Sequence, residues 1–353
     1  MAMTSRERVI ATLNFQPVDR IARDVWTLPA AFFGREEALR ALLAQYPSDF
    51  GNSGFIDPVD QSPLYQLGEW TDEWGSTWIN IQPGLIGEVK HAALADWATL
   101  DSWKPPFELL GKGFENVNKT CAESEKFIAL GLPRPWERLQ FVRGPAAAYM
   151  DLATGDARIF KVLEMIHDYY MQHLEYVVRT DVDAMFFMDD WGSAQSLLIS
   201  PKMWVEYFKP LYKAYCDIAH AHGKYVVMHS DGYIMAIYKH LIEIGVNAVN
   251  SQLFAMPIEE IAEKYGGRIA LWGEMDRQHI LPFGTPDDVR AGVQRVKDAF
   301  GEQGGGLIGQ AEFNKGYPME NLRAFFEAWW GEPEEQEGSS ERGWSPGGYD
   351  ARD

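Results

Sequence analysis

The sequence predicts an α/β protein folded as a closed (β/α)8 TIM barrel. Three observations carry this. From about residue 127 onward, short apolar runs rich in β-branched and aromatic residues alternate with stretches of helical periodicity. The runs are apolar throughout, as parallel strands covered on both faces must be. None is followed by a glycine-rich phosphate fingerprint, which weakens a doubly wound open sheet as the alternative.

The elements follow in order. Thr4 and Glu7 form a capping box for a first helix, and Asp24–Thr27 within DRIARDVWT reads as a short strand. Residues 50–106 break the pattern: they are rich in Trp, Gly and Pro, with strand-like pieces STWIN and GEVKH. This segment reads as an excursion that covers one end of the barrel. FIALGL (127–132) opens the regular alternation, and AMFFMDD (184–190) leads to a helix that starts at Ser200 and Pro201 and stops at Gly223. KYVVMHSDG, NAVNSQ, RIALWGEMD and GGLIGQAEF are the remaining strands, with helices between them and PMENLRAFFEAWWG after the last. Residues 1–331 thus form a single barrel domain. The acidic Gly/Ser/Pro-rich stretch 332–353 lacks any pattern and is expected to be disordered.

Composition narrows the function. The chain has 353 residues, is 46% hydrophobic and 13% aromatic, and so has ample material for a core. A net charge of −19 argues against nucleic acid or an anionic membrane as partner. No apolar run is long enough to span a bilayer, and no secretory signal is visible at the N-terminus. With only Cys121 and Cys216 there is no disulfide framework, which suits a reducing cytoplasm.

In a TIM barrel the chemistry sits where strands end. Those positions hold Asp189 and Asp190, His229 and Asp231, Asn250 and Gln252, Glu274 and Asp276, and Gln310 and Glu312. Carboxylates and an imidazole converging on one mouth suit a divalent metal or acid–base catalysis. A strand-end Asp also commonly caps the next helix, an equal prospect for Asp190 and Asp276. The expected metal set is His229, Glu274 and Glu312, with Asp231 as a further ligand or as the group orienting the imidazole. In the alternative, His229 donates a proton without metal and Asp231 fixes its tautomer. Asp189, Asp190 and Asp231 are the expected catalytic carboxylates. Trp26, Phe187, Trp191, Trp272 and Gln310 are the expected wall for a small, flat or methylated substrate.

Several phrases resemble the uroporphyrinogen decarboxylase superfamily: DEWGSTW with GEVKHAALADW, MDDWGSAQSLLISPKMWVEYFKP, HGKYVVMHSDGYI, ALWGEMDRQHILPFGTPDDV and YPMENL. The resemblance implies a barrel with its active site at the strand C-termini. It also implies either metal-free decarboxylation or zinc-dependent methyl transfer with a corrinoid protein. The decarboxylases' Arg-rich N-terminal signature is replaced here by RDVWTLPAAFF, and an acidic mouth would repel a highly carboxylated substrate. The His-x-Cys zinc pair of the coenzyme M methyltransferases appears as His229 and Asp231, so a harder ligand set is expected. The aryl-ether demethylase spacing Glu-x14-Glu-x20-His is missed by one residue at each gap by Glu243, Glu259 and His279. Those two carboxylates would also lie at opposite helix ends, roughly 18 Å apart for a helix of about 12 residues. The expected function is therefore a methyltransferase of the O-, N- or S-demethylase type, using a divalent metal (zinc first) and a corrinoid on a partner protein. The alternatives are a metal-independent decarboxylase or other lyase, and a non-catalytic binding protein. A homodimer is compatible with each.

Overall fold

The structure is a computed structural model that describes residues 2–131, 133–301 and 305–332. The expected disordered tail lies, from residue 333, outside the described residues. In chain order the strands are β1 (Ala22–Thr27), β2 (Phe50–Gly51), β3 (Gly68–Thr71), β4 (Thr77–Asn80), β5 (Glu88–His91), β6 (Phe127–Gly131), β7 (Ala184–Met188), β8 (Tyr225–Ser230), β9 (Ala248–Ser251), β10 (Ala270–Glu274) and β11 (Leu307–Phe313). Eight of them form one parallel sheet in the order β1-β11-β10-β9-β8-β7-β6-β2. The expected TIM barrel is therefore present. Its eighth strand, β2, is two residues long and gave no pattern in the sequence.

The seam between β1 and β2 is closed by Asp49. Its N–H donates to the Arg23 carbonyl at 2.8 Å, and its own carbonyl accepts from Phe127 N at 2.9 Å. Its buried carboxylate accepts from Arg8 Nη1 and Arg20 Nη1, both at 2.7 Å, and from Arg23 N at 2.8 Å. Those two guanidiniums offset the burial that would raise the Asp49 carboxyl, and its pKa ends below the ordinary value. Below the barrel, helix Ser5–Leu13 starts at the expected Thr4–Glu7 capping box. Its Val9 and Leu13 pack among the inward side chains of the strands and so plug the floor.

Alternation along each strand sorts side chains to two layers. Ala22 and Trp26, Ala184 and Phe186, Val227, Trp272 and Ile308 fill the interior of the barrel. Val25, Met185 and Phe187, Met228 and Leu271 face outward into the larger core under the helices. Residues 50–106 carry a small antiparallel sheet, β3-β4-β5. Asp72 ties it down: its carboxylate accepts from Trp74 N, Ser76 N and Trp78 Nε1, and pairs with Arg138 of helix Pro135–Arg143 at 3.2 Å. Among the described residues no helix is long and apolar enough to cross a membrane.

Candidate active site

The interior parity of β8 carries past the strand's end, from Val227 through His229 to Asp231. His229 Nε2 lies 3.4 Å from Asp190 Oδ1 and 3.4 Å from Asp231 Oδ1. Its Nδ1 is 2.6 Å from Asn250 Oδ1, while Asn250 Nδ2 donates to the Trp272 carbonyl at 3.1 Å. With the amide nitrogen so committed, the oxygen faces the ring, and Nδ1 must be the donor. Nε2 is therefore left toward the two carboxylates. Burial opposes a charged imidazole here, but the Asp190 bond and the Asp231 and Asp190 charges outweigh it and push the pKa up to about 10. The two carboxylates thus favour a positive charge at Nε2.

Two glycines permit this convergence. Gly232 has a φ of +78°, and a Cβ there would come within 2.3 Å of Gly192 backbone. A Cβ on Gly192 would in turn meet Tyr233 N at 2.4 Å. The loops after β7 and β8 therefore touch, with Gly192 N donating to the Asp231 carbonyl at 3.0 Å and Asp231 N to Asp190 Oδ1 at 2.8 Å.

One donor atom from each of Asp190, His229 and Asp231 lies within 4.8 Å of the others. A nitrogen and two carboxylate oxygens suit zinc or a similar divalent ion. Two further features fit a metal: Asp231 Oδ1 is buried without a hydrogen-bond partner, and Asn250 fixes the histidine's second nitrogen.

Arg277 organises the rest of the mouth. Its guanidinium hydrogen-bonds Asp231 Oδ2, lies 2.8 Å from Glu312 Oε1 and sits 3.0 Å from Glu274 Oε1. Burial would lower its pKa, yet the Glu274, Asp231 and Glu312 charges raise it above the ordinary value. Burial, with the Asp231 and Glu312 charges behind it, pushes the Glu274 carboxyl up to about 8 against the lowering effect of the Arg277 guanidinium. A cavity of about 450 Å³ opens over these groups, lined by Trp26, Met188, Arg134, Glu137 and Tyr317 together with Tyr65 and Ile86 of the excursion. A second cavity of about 240 Å³ lies beyond Arg277 and Glu274, toward Phe254 and His279.

Several expectations need correction. Glu274 and Glu312 do not gather with His229, since Arg277 holds both, and the carboxylates whose oxygens lie near its ring are those of Asp190 and Asp231. Asn250, not Asp231, orients the imidazole. Asp189 faces away from the mouth, accepting from Trp136 N, Glu137 N and the Tyr212 hydroxyl. It caps a helix, and burial pushes its carboxyl up to about 7 in spite of those bonds. Asp190 meets the mouth instead. Asp276 caps locally, accepting from Gln278 N and His279 N. Of the aromatic wall only Trp26 lines the cavity, its ring centroid 5.0 Å from that of His229. Phe187 lies outside the barrel against Tyr212 and Tyr215. Trp272 is inside but below, stacked on Phe50 at 4.5 Å. Gln310 is fully buried in the interior with neither amide atom hydrogen-bonded.

Trp191 is the clearest miss. It is wholly buried under the helices, stacked on Trp136 at 5.3 Å, with its Nε1 donating to the Tyr212 hydroxyl at 3.0 Å. Trp191→Ala should therefore cost about 3–5 kcal/mol of stability in urea unfolding. KM for any substrate should hardly move in the fraction that remains folded; a raised KM at unchanged stability would contradict this placement.

The sequence reading overlooked Arg277, Arg134 and Glu137. Arg277 stands in the phrase GEMDRQH, three residues after Glu274, beyond the strand-end positions themselves. Arg134 and Glu137 precede and open a helix whose start carried no signal besides Pro135.

Fold and site together define a barrel of enzyme type, with its ionisable cluster at the strand C-termini. The family model for uroporphyrinogen decarboxylase (URO-D) matches residues 92–329, and the chain belongs to this family. Uroporphyrinogen decarboxylase of Xanthomonas campestris pv. campestris (strain B100) is 26% identical over 162 residues, covering 45% of this chain and 44% of that relative. The alignment thus spans less than half of the relative's length. A methyltransferase from Methanosarcina mazei is similar in fold, with a TM-score of 0.67 and 16% identity over 92% of this chain and 98% of that one.

Proposed function

We propose that the protein is a methyltransferase of the demethylase type, which removes a methyl group from a small O-, N- or S-methyl donor and passes it to a corrinoid on a partner protein. The observation that carries this reading is the Asp190–His229–Asp231 donor set at the mouth, with the histidine's other nitrogen fixed by Asn250. In the transfer the methyl–heteroatom bond breaks, the electron pair stays on the heteroatom, and the methyl group goes to the acceptor nucleophile. An alkoxide, phenoxide or amide ion is a poor leaving group, so the heteroatom needs a proton or an electrophile. A divalent metal, zinc by preference, would supply that electrophile when held by Asp190, His229 and Asp231. Trp26 and Met188 offer the donor an apolar wall beside His229.

The second reading is a metal-free decarboxylase, favoured by the imidazolium that Asp190 and Asp231 stabilise at His229. There the imidazolium would donate a proton to the carbon that loses carbon dioxide.

Elemental analysis of the purified protein, joined to an assay of methyl transfer from methoxy, methylamine and thioether donors to reduced cobalamin, separates the two. Methyl transfer is expected together with a stoichiometric divalent metal, and both should be lost on chelation. Metal-free protein that releases carbon dioxide and transfers no methyl group would establish the second reading instead.

A further inference from the structure

Arg134 occupies a position that helix chemistry disfavours. It is the N-cap of helix Pro135–Arg143 and makes no side-chain cap bond. Small polar residues are preferred there, and a cation opposes the dipole of the helix. The capping is done from outside, by Asp189, at 2.8 Å from Trp136 N and 2.7 Å from Glu137 N. Arg134 is thereby released to the cavity wall, with a quarter of its side chain exposed.

Its partners there are poor. Nη2 lies 3.3 Å from the Met188 thioether, and Nη1 is 4.0 Å from Glu137 Oε2, an oxygen that has no hydrogen-bond partner. At that separation no hydrogen bond forms, and Glu137 leaves the guanidinium fork open to the cavity. Arg277 across the same cavity is the opposite case, shared among Asp231, Glu274 and Glu312. One cation of the mouth is saturated and the other is not.

We propose that Arg134 anchors a carboxylate of the substrate, so that the donor is a small methylated monocarboxylate lying along Met188 with its methyl-bearing end at His229. The guanidinium fork matches a carboxylate in two parallel hydrogen bonds. The reach is short: the Met188 sulfur touches Arg134, and Met188 is the register partner of His229 on the adjoining strand. Arg134, Met188 and His229 line the same cavity of about 450 Å³, which suits a small donor. A second carboxylate would meet Asp190, Asp231 and Glu312, so a single negative charge is selected. The methyl-bearing end rests on the methyl-transfer reading; the anchor itself does not.

The test compares matched acids and amides by calorimetry on the full-length protein: 4-methoxybenzoate against 4-methoxybenzamide, and methoxyacetate against methoxyacetamide. In at least one pair the acid should bind about tenfold or more tighter, the range of a hydrogen-bonded charge. Arg134→Gln should collapse that ratio to about one, and Arg134→Lys should restore part of it. A wild-type ratio near one in both pairs, no binding by any member, or a ratio that survives Arg134→Gln overturns the proposal. If Arg134→Gln does not fold, the wild-type ratio and the Lys variant still decide. Methyl transfer from the bound acids to reduced cobalamin is scored separately. Its absence beside a clear preference for acid would defeat the methyl-transfer reading and leave the anchor standing.

Discussion

His229→Ala is expected to abolish turnover, lowering kcat/KM by about a thousandfold or more. The residue is the single nitrogen in the Asp190–His229–Asp231 set, and no other histidine lines the main cavity. Its loss also leaves Asp190 and Asp231 facing each other across the space the imidazole filled, so a metal would lose its only neutral ligand. Metal content should fall along with activity. Asn250→Ala should act in the same direction but less, by about ten- to a hundredfold, because it frees the ring without removing it. A His229→Ala protein with full activity would mean that the cluster is structural and that the chemistry lies elsewhere.

Arg277→Met should be the most destabilising change in the mouth, costing about 3–5 kcal/mol, since it strands buried charges without a partner. The loss should depend on pH. Burial holds the Glu274 carboxyl near 8 in the folded state, against an ordinary value of 4.5. Between those values the folded protein keeps a proton that the unfolded chain releases, so stability falls as pH rises through the window. The guanidinium lowers both Glu274 and Glu312, and without it both carboxyls titrate higher still. The gap between wild type and variant should therefore be smallest near pH 5 and largest near pH 8, in urea unfolding curves at each pH. A constant gap across that range would show that Arg277 contributes packing and not charge.

Fold and site were legible in the sequence to different degrees. The six barrel strands from β6 onward announced themselves as apolar runs and β1 as the short strand Asp24–Thr27, whereas β2 was too short to do so. The strand ends identified the ionisable residues of the mouth but not which way each faces. β7 is apolar on both faces, so Ala-Met-Phe-Phe-Met carries no contrast that tells inside from outside. Asp189 and Asp190 were consequently indistinguishable, and one of them caps a helix. The same ambiguity sent Phe187 and Trp191 to the mouth, although both belong to the outer layer. Strand β8 was more informative, since the polar pair His229 and Asp231 marks a single parity. Arg277 escaped because its role comes from a loop folding back over three strand ends, and no local pattern encodes that return.

The barrel also depends on its own extremes: among the described strands β1, the earliest, pairs with β11, the last, through six register positions from Ala22–Ile308 to Thr27–Phe313. Contacts so distant along the chain carry a high loop-closure cost and slow folding. During synthesis the ribosome delivers β1 long before its neighbour, so β1 must wait with an unpaired edge. Glu312, one of the groups that hold Arg277, arrives on that same final strand. The mouth is thus completed by the segment that closes the cylinder, and a nascent chain halted before residue 307 would lack both the closure and the finished pocket.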